Sequence, residues 1–171
     1  VSALYDGVHA AWLTLRDNFN VRPIIYTSAR VWRDDLKNHL PGELTQSPLW
    51  VARYPFKAGV AVRDPAAVER QAVPEAPRGW GAGNTWIWQY QGDATGVPGA
   101  DFAVDMNRFQ PMVKGETGVR VKWVQTRLDM TLLNGKYDAG MVQLVRGFQC
   151  TQGLVDDGII GPRTFNAICW A

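Results

Sequence analysis

The sequence predicts an α/β unit followed by a small all-α unit of three helices, and three observations carry that prediction. A helically spaced apolar stripe near the amino end gives way to a short apolar run, and helix then strand recurs once more before residue 55. Beyond residue 118 the apolar residues fall at helical spacing instead. Between residues 148 and 164, glycines, an Asp-Gly pair and a Gly-Pro pair crowd together, as they do where one tight loop joins two packed helices.

Taken in order, Leu4, Val8, Ala11, Trp12, Leu15 and Phe19 mark a first helix over residues 4–19. Pro23 opens the run Ile24-Ile25-Tyr26, a buried strand ending in Thr27-Ser28. Ser28 can cap a second helix carrying Val31, Trp32 and Leu36. After Pro41-Gly42, Pro48 introduces a second strand over 49–54. Residues 86–90 form a third strand and 102–105 a fourth, so the strands are at least partly parallel. The span between Tyr54 and Trp86 is rich in Ala, Pro and Gly and reads as a loop holding a short strand or helical turn. Loops of that length in a compact domain usually serve a function.

Apolar character drops over 110–118, where Pro111 and two glycines flank Lys114 and Glu116. The boundary falls there: a first domain at 1–110, a linker at 111–118 and a helical domain at 119–171. In the helical domain Val121, Val124 and Leu128 mark one helix. Met141, Leu144, Val145 and Phe148 mark a second, and Phe165, Ile168 and Cys169 a third. Gly153 sits where a helix end wants a left-handed residue, Asp157-Gly158 is a turn pair, and Pro162 takes the first position of the next helix. Residues 121–125 and 142–146 look faintly alike, which shared amphipathicity explains.

Composition excludes several function classes. The chain has 171 residues, 46% apolar and 20% charged, with a formal net charge of +2. That is ordinary for a globular protein and too weakly basic for nucleic acid, and no Lys/Arg run forms a stripe. No segment has the apolar length to span a membrane. The first residues have no basic region or cleavage site and no Met, and they begin inside a helical pattern, as the interior of a longer polypeptide would. Two Cys and two His are scattered without metal-ligand spacing, so neither a metal nor another cofactor is expected. Cys150 and Cys169 fall near the ends of two helices that should pack together. They are either a disulfide in an exported protein or two buried thiols. His9 and His39 have no partner at a recognisable spacing and read as surface residues. Eight Trp is high for this length; such rings either fill cores or stack on sugar faces.

The stretch Phe148-Gln149-Cys150-Thr151-Gln152-Gly153-Leu154-Val155-Asp156-Asp157-Gly158-Ile159-Ile160-Gly161-Pro162-Arg163-Thr164 resembles the repeat-type peptidoglycan-binding domain found at the ends of bacterial and phage wall hydrolases. The resemblance implies peptidoglycan as partner and a location outside the cell, at the wall or delivered there by a phage. With no catalytic constellation, the implied work is adhesion. Tyr137, Asp138 and Trp170 are the candidates for its contact surface. Turn residues (Tyr137, Asp138) and a helix-end aromatic (Trp170) are the plainer readings.

Four segments of the first domain fall in a distinctive order: Arg22-Pro23-Ile24-Ile25-Tyr26-Thr27-Ser28, Leu49-Trp50-Val51-Ala52-Arg53-Tyr54, Trp86-Ile87-Trp88-Gln89-Tyr90 and Val104-Asp105-Met106-Asn107-Arg108-Phe109. They resemble the last strands of the glycoside hydrolase family 25 lysozymes, muramidases built on an irregular β/α barrel. The resemblance implies an incomplete barrel over 1–110 and cleavage of β-1,4 bonds after N-acetylmuramic acid. Such cleavage needs two carboxyl groups with separate roles. By resemblance Asp105 is the auxiliary carboxylate of the last strand; otherwise it caps a turn, as Asp101 does. Tyr26 and Trp88 would contact the sugar. Tyr54 and Tyr90 stand at strand ends, where barrels place their sites. Trp86, Trp88 and Tyr90 alternate, so they share a face opposite Ile87 and Gln89, and that face is either a stacking wall or core. Arg53 would meet a lactyl or peptide carboxylate, or remain a solvated arginine.

The family's general acid lies in an Asp-x-Glu motif, and this sequence contains none. The chain thus resembles the later part of such an enzyme, and the missing N-terminal half of the same protein is an expected partner. A non-catalytic wall-binding protein with a degenerate barrel as scaffold is the alternative.

Overall fold

The computed structural model describes residues 2–19, 23–38, 42–74, 76–80 and 84–171. His39 and Pro41 lie outside them. Helix α1 runs from Ser2–Phe19, β1 Ile25–Thr27, β2 Leu49–Ala52, β3 Gly59–Val60, α2 Pro65–Glu69, β4 Thr85–Thr95 and β5 Val104–Phe109. Helices α3 Val119–Arg127, α4 Ala139–Thr151 and α5 Pro162–Trp170 follow. The helix expected after Ser28 is a single π-helical turn, Val31–Asp35. Ser28 Oγ accepts from Val31 N–H at 3.2 Å, as a cap should. Lys37 and Asn38 then take left-handed φ angles of 52° and 53°, which end the turn.

The sheet is open and mixed. Strand β1 pairs in parallel with β2 (Tyr26 beside Trp50), and β2 in parallel with β4 (Val51 beside Trp88, Ala52 beside Gln89). Strand β5 runs antiparallel along β4 from Ile87 to Ala94. That occupies one edge of β4, so β2 and the short β3 share the other. Strand β4 reaches Thr95 instead of ending at Tyr90 because β5 and β3 both supply ladder partners beyond Gln91. The fourth strand begins at Val104, two residues later than expected. The chain before it is still turning, with Ala100 N–H bonded to Val97 C=O at 3.1 Å and Gly99 at φ 80°.

Strand β4 is the spine of the molecule. Trp88 and Tyr90 pack with Trp32, Leu49, Val51 and Trp80 in one core. Trp86 leaves that group. The β2–β4 register slips there, Leu49 facing Thr85 while Trp50 faces Ile87, and such a bulge re-aims a side chain. The Trp86 indole enters a second core with Val121, Val124, Met141, Phe165 and Ile168 of the helices. Its ring centroid lies 4.4 Å from Phe165 and 5.3 Å from Trp123. Of the α1 stripe, Trp12 is buried and gives its N–H to Ser47 Oγ at 2.7 Å, while Leu4, Leu15 and Phe19 stay exposed.

The helical module is built twice over from one device. Gln125, at the buried end of α3, accepts from the Gly135 N–H at 2.8 Å. Gln149, near the end of α4, accepts from the Gly158 N–H at 2.9 Å. Both glycines have positive φ, 66° and 71°. After each glutamine the chain turns back onto it, Met130 N–H to Gln125 C=O and Leu154 N–H to Gln149 C=O, both at 2.9 Å. The internal likeness therefore aligns Gln125 with Gln149, not residues 121–125 with 142–146, and it reflects a repeated helix–loop unit as well as amphipathicity. Residues 112–118 lie against this unit: Met112 and Ile160 exchange main-chain bonds of 3.1 and 3.0 Å, and Gly118 N–H reaches Gly135 C=O at 2.9 Å.

Arg120 fastens the module to the sheet. Its guanidinium donates to Gln110 C=O at 2.9 Å, Thr85 C=O at 3.3 Å and Glu116 Oε2 at 2.7 Å, and lies 5.2 Å from the Trp86 ring centroid. Both cysteines are free thiols, Cys150 exposed and Cys169 half-buried, so neither a disulfide nor a pair of buried thiols is seen. No helix among the described residues is long and apolar enough to cross a membrane.

Candidate functional site

Register decides which side chains meet. Tyr26, Trp50 and Ile87 lie level across the parallel strands, and Gln89 is level with Asn107 of β5. This face is opposite the Trp88–Tyr90 core, because side chains alternate along each strand. At its lower end Ile87 and Phe109 pack against the helical module. At the upper end the residues are polar and aromatic.

Gln89 is the centre of that end. The side chain is 1% exposed. Its Oε1 accepts from the hydroxyl of Tyr26 and, at 2.9 Å, from the hydroxyl of Tyr54. A buried amide oxygen with two lone pairs is thereby satisfied, and both tyrosines are held with their rings half in solvent, each 52% exposed. Trp50 stands edge-on to Tyr26, with ring centroids 5.0 Å apart, and gives its indole N–H to Asn107 Oδ1 at 2.9 Å. Gly92 lies between the rest. A Cβ there would lie 3.5 Å from the Tyr54 ring and 3.6 Å from Asp105 Oδ1, so the phenol and the carboxylate flank one glycine.

The Tyr54 phenol is pushed well above its ordinary value, first by burial around its hydroxyl. The hydrogen-bonded Tyr26 and the carboxylates of Asp105 and Asp93 push in the same direction. Tyr54 is therefore a permanent donor at neutral pH. Phenol hydroxyls, an indole edge, exposed ring faces and carboxylates on one surface match what hydroxyl- and amide-bearing sugars require.

The structure thus brings together Tyr26, Tyr54 and Asp105. Trp88 and Tyr90 are placed elsewhere. Trp88 is 1% exposed, with its N–H on Arg53 C=O at 2.8 Å, and the Tyr90 hydroxyl donates to Val62 C=O at 3.1 Å. Both rings face the core and neither offers a stacking wall. The Arg53 side chain is exposed and makes no ion pair among the described residues, while its N–H holds the β2–β4 edge through Gln89 C=O at 3.1 Å. Gln89, Trp50 and Asn107 were not read as site residues. The one signal in the sequence is Gln89 itself, a polar residue on a strand opposite Trp88 and Tyr90.

In the module, Tyr137 is 1% exposed and gives its hydroxyl to Gly158 C=O at 2.8 Å, a core residue with no ring face to offer. Burial first, then Asp157 and Glu116, pushes its phenol up. Asp138 caps α4, its Oδ1 accepting from Met141 N–H at 3.0 Å. Trp170 is exposed at the end of α5, beside a cavity of about 400 Å³ bounded by Ile24, Phe109, Pro162 and Asn166. No group of three metal-ligating side chains occurs among the described residues.

Comparison with known proteins bears on the module. Residues 117–168 match the family model described as "Putative peptidoglycan binding domain". The chain thus carries a peptidoglycan-binding domain at these residues, which take in α3, α4 and most of α5. Among solved structures, a peptidoglycan-binding protein from Clostridioides difficile, solved in complex with glutamine hydroxamate, is 27% identical. The match covers 38% of this chain and 45% of that one, with a TM-score of 0.34. The comparison with curated proteins gave no match.

Proposed function

We propose that this chain binds peptidoglycan through residues 117–168 and presents the Gln89-centred face of its open sheet to the glycan of the same wall, as the substrate side of an incomplete, muramidase-like barrel. The observation that carries the first half is the family match over the compact helical module. The second half rests on the order of the four strand segments and on Tyr26, Tyr54 and Asp105 meeting around Gln89 and Gly92. An anchor fused to a glycan-contacting face raises the local concentration of one on the other's polymer without any new contact. The setting is the wall, outside the cell.

In this reading Asp105 is the auxiliary carboxylate, which helps hold the sugar and would tune an acid supplied from elsewhere, and the two phenols orient the sugar. Glycoside hydrolysis also needs a carboxylic acid to protonate the leaving oxygen. No Asp-x-Glu stands in this sequence to supply it. That observation favours adhesion without hydrolysis by this chain alone.

Glycan strands stripped of their peptides provide the test. The chain should bind them, and Tyr26→Ala with Tyr54→Ala should weaken binding about tenfold, as loss of two aromatic, hydrogen-bonded contacts would. Undiminished binding by the double variant would remove this face from the account.

A further inference from the structure

A further cavity lies at neither the Gln89 face nor Trp170. It fills about 420 Å³ of the seam where the loops before β4 meet α3, a volume within the usual range for small-molecule sites. Thr45, Trp80 and Asn84 line one side; Lys122, Trp123 and Thr126 line the other. The Trp80 indole is anchored by its N–H on Ser47 C=O at 3.1 Å, and Trp123 by packing on Trp86 and Phe165, with centroids 5.3 and 5.7 Å away. Trp123 is therefore a fixed, half-buried wall, while Trp80, 1% exposed, only backs the seam from within the core.

The charge of this seam has one sign. Its ionisable lining residues are Lys122 and Arg127, and no described residue lining it is acidic. Arg127 is already engaged, donating to the main-chain oxygens of Ile168 and Ala171. Lys122 is exposed and makes no ion pair among the described residues. A free ammonium beside one fixed indole, a carboxamide and hydroxyls asks for a ligand with a carboxylate, amide groups and small apolar side chains.

We propose that this seam binds the stem peptide of peptidoglycan, with a peptide carboxylate on Lys122 and the peptide backbone along Asn84 and Thr45. The inference rests on the wall-binding reading and assigns the peptide to a site shared by the sheet loops and α3. The glycan is the poorer candidate, because in peptide-bearing wall its lactyl carboxyls are consumed in the links to the peptides.

The probe is a soluble disaccharide-tetrapeptide muropeptide, titrated into the intact chain by NMR. The indole N–H signal of Trp123 should move on titration. Lys122→Glu should weaken binding about tenfold or more, the size of one charge-assisted contact, and so should amidation of the probe's carboxyls. Lys122→Gln should fall between, and unchanged melting temperatures would show that both variants are folded. No binding, a Trp123 indole signal that stays still, or indifference to both Lys122→Glu and amidation would each overturn the proposal. Pelleting with whole wall is read separately. Wild-type chain that pellets but ignores the muropeptide would sink the seam site alone, whereas chain that does not pellet would sink the wall-binding reading.

Discussion

At the scale of single residues, two buried glutamines do most of the organising. Gln149 donates to Asp157 Oδ1 at 2.9 Å and to Ile159 C=O and Thr164 Oγ1 at 3.0 Å, and it accepts from Gly158. Gln149→Leu should cost roughly 2–4 kcal/mol, because several buried polar groups lose their partner at once; thermal or urea melts read this directly. Gly158→Ala should also destabilise, since φ is 71° and the new Cβ would sit 2.8 Å from Val142 Cγ1. The same loop sets a pH dependence. The Ile159 N–H and the Gln149 amide hold the Asp157 carboxyl below the usual range. A depressed folded pKa stabilises above the unfolded value of about 3.9 and loses that stabilisation as pH falls through the folded value. Melting temperature should drop below about pH 4, and Asp157→Asn should flatten part of that fall. The thiols differ in the same physical way: burial pushes Cys169 up to about 11, so iodoacetamide at pH 8 should label exposed Cys150 first.

At the scale of elements, what local pattern controls was legible and what pairing controls was not. The Ser28 cap, the Gly153 and Gly158 turns and Pro162 at the head of α5 depend on neighbours in sequence, and they stand where the sequence places them. The short strand and helical turn of the 54–86 span are β3 and α2. The length of β4, the late start of β5 and the slip at Trp86 depend on strands far away along the chain. So did the site. Tyr26 and Tyr54 were visible as strand-end aromatics, but Gln89 acquires its role from the register that sets Ala52 beside it, which no local periodicity contains. Trp88 and Tyr90 read ambiguously because alternation shows that they share a face without saying which face is covered.

At the scale of the whole molecule, Trp86 and Arg120 tie sheet to module. Trp86→Ala should cost about 3–5 kcal/mol, as truncation of a fully buried large aromatic does, and should lower the stability of both parts together. Calorimetry would show one coupled transition, whereas two separate ones with only one shifted would mean that the shared core does not couple them. This coupling bears on the proposed function: the Gln89 cluster and the peptidoglycan-binding helices sit on one frame, so if both contact the wall, binding at one fixes where the other meets the polymer.

The central claim is tested most directly by mixing the intact chain with purified, insoluble peptidoglycan, pelleting the wall, and assaying both protein in the pellet and reducing ends in the supernatant. The chain should pellet with the wall and release no reducing ends above background. Chain remaining in the supernatant would contradict wall binding, and release that disappears in Asp105→Asn would show that this sequence carries a complete hydrolytic site after all.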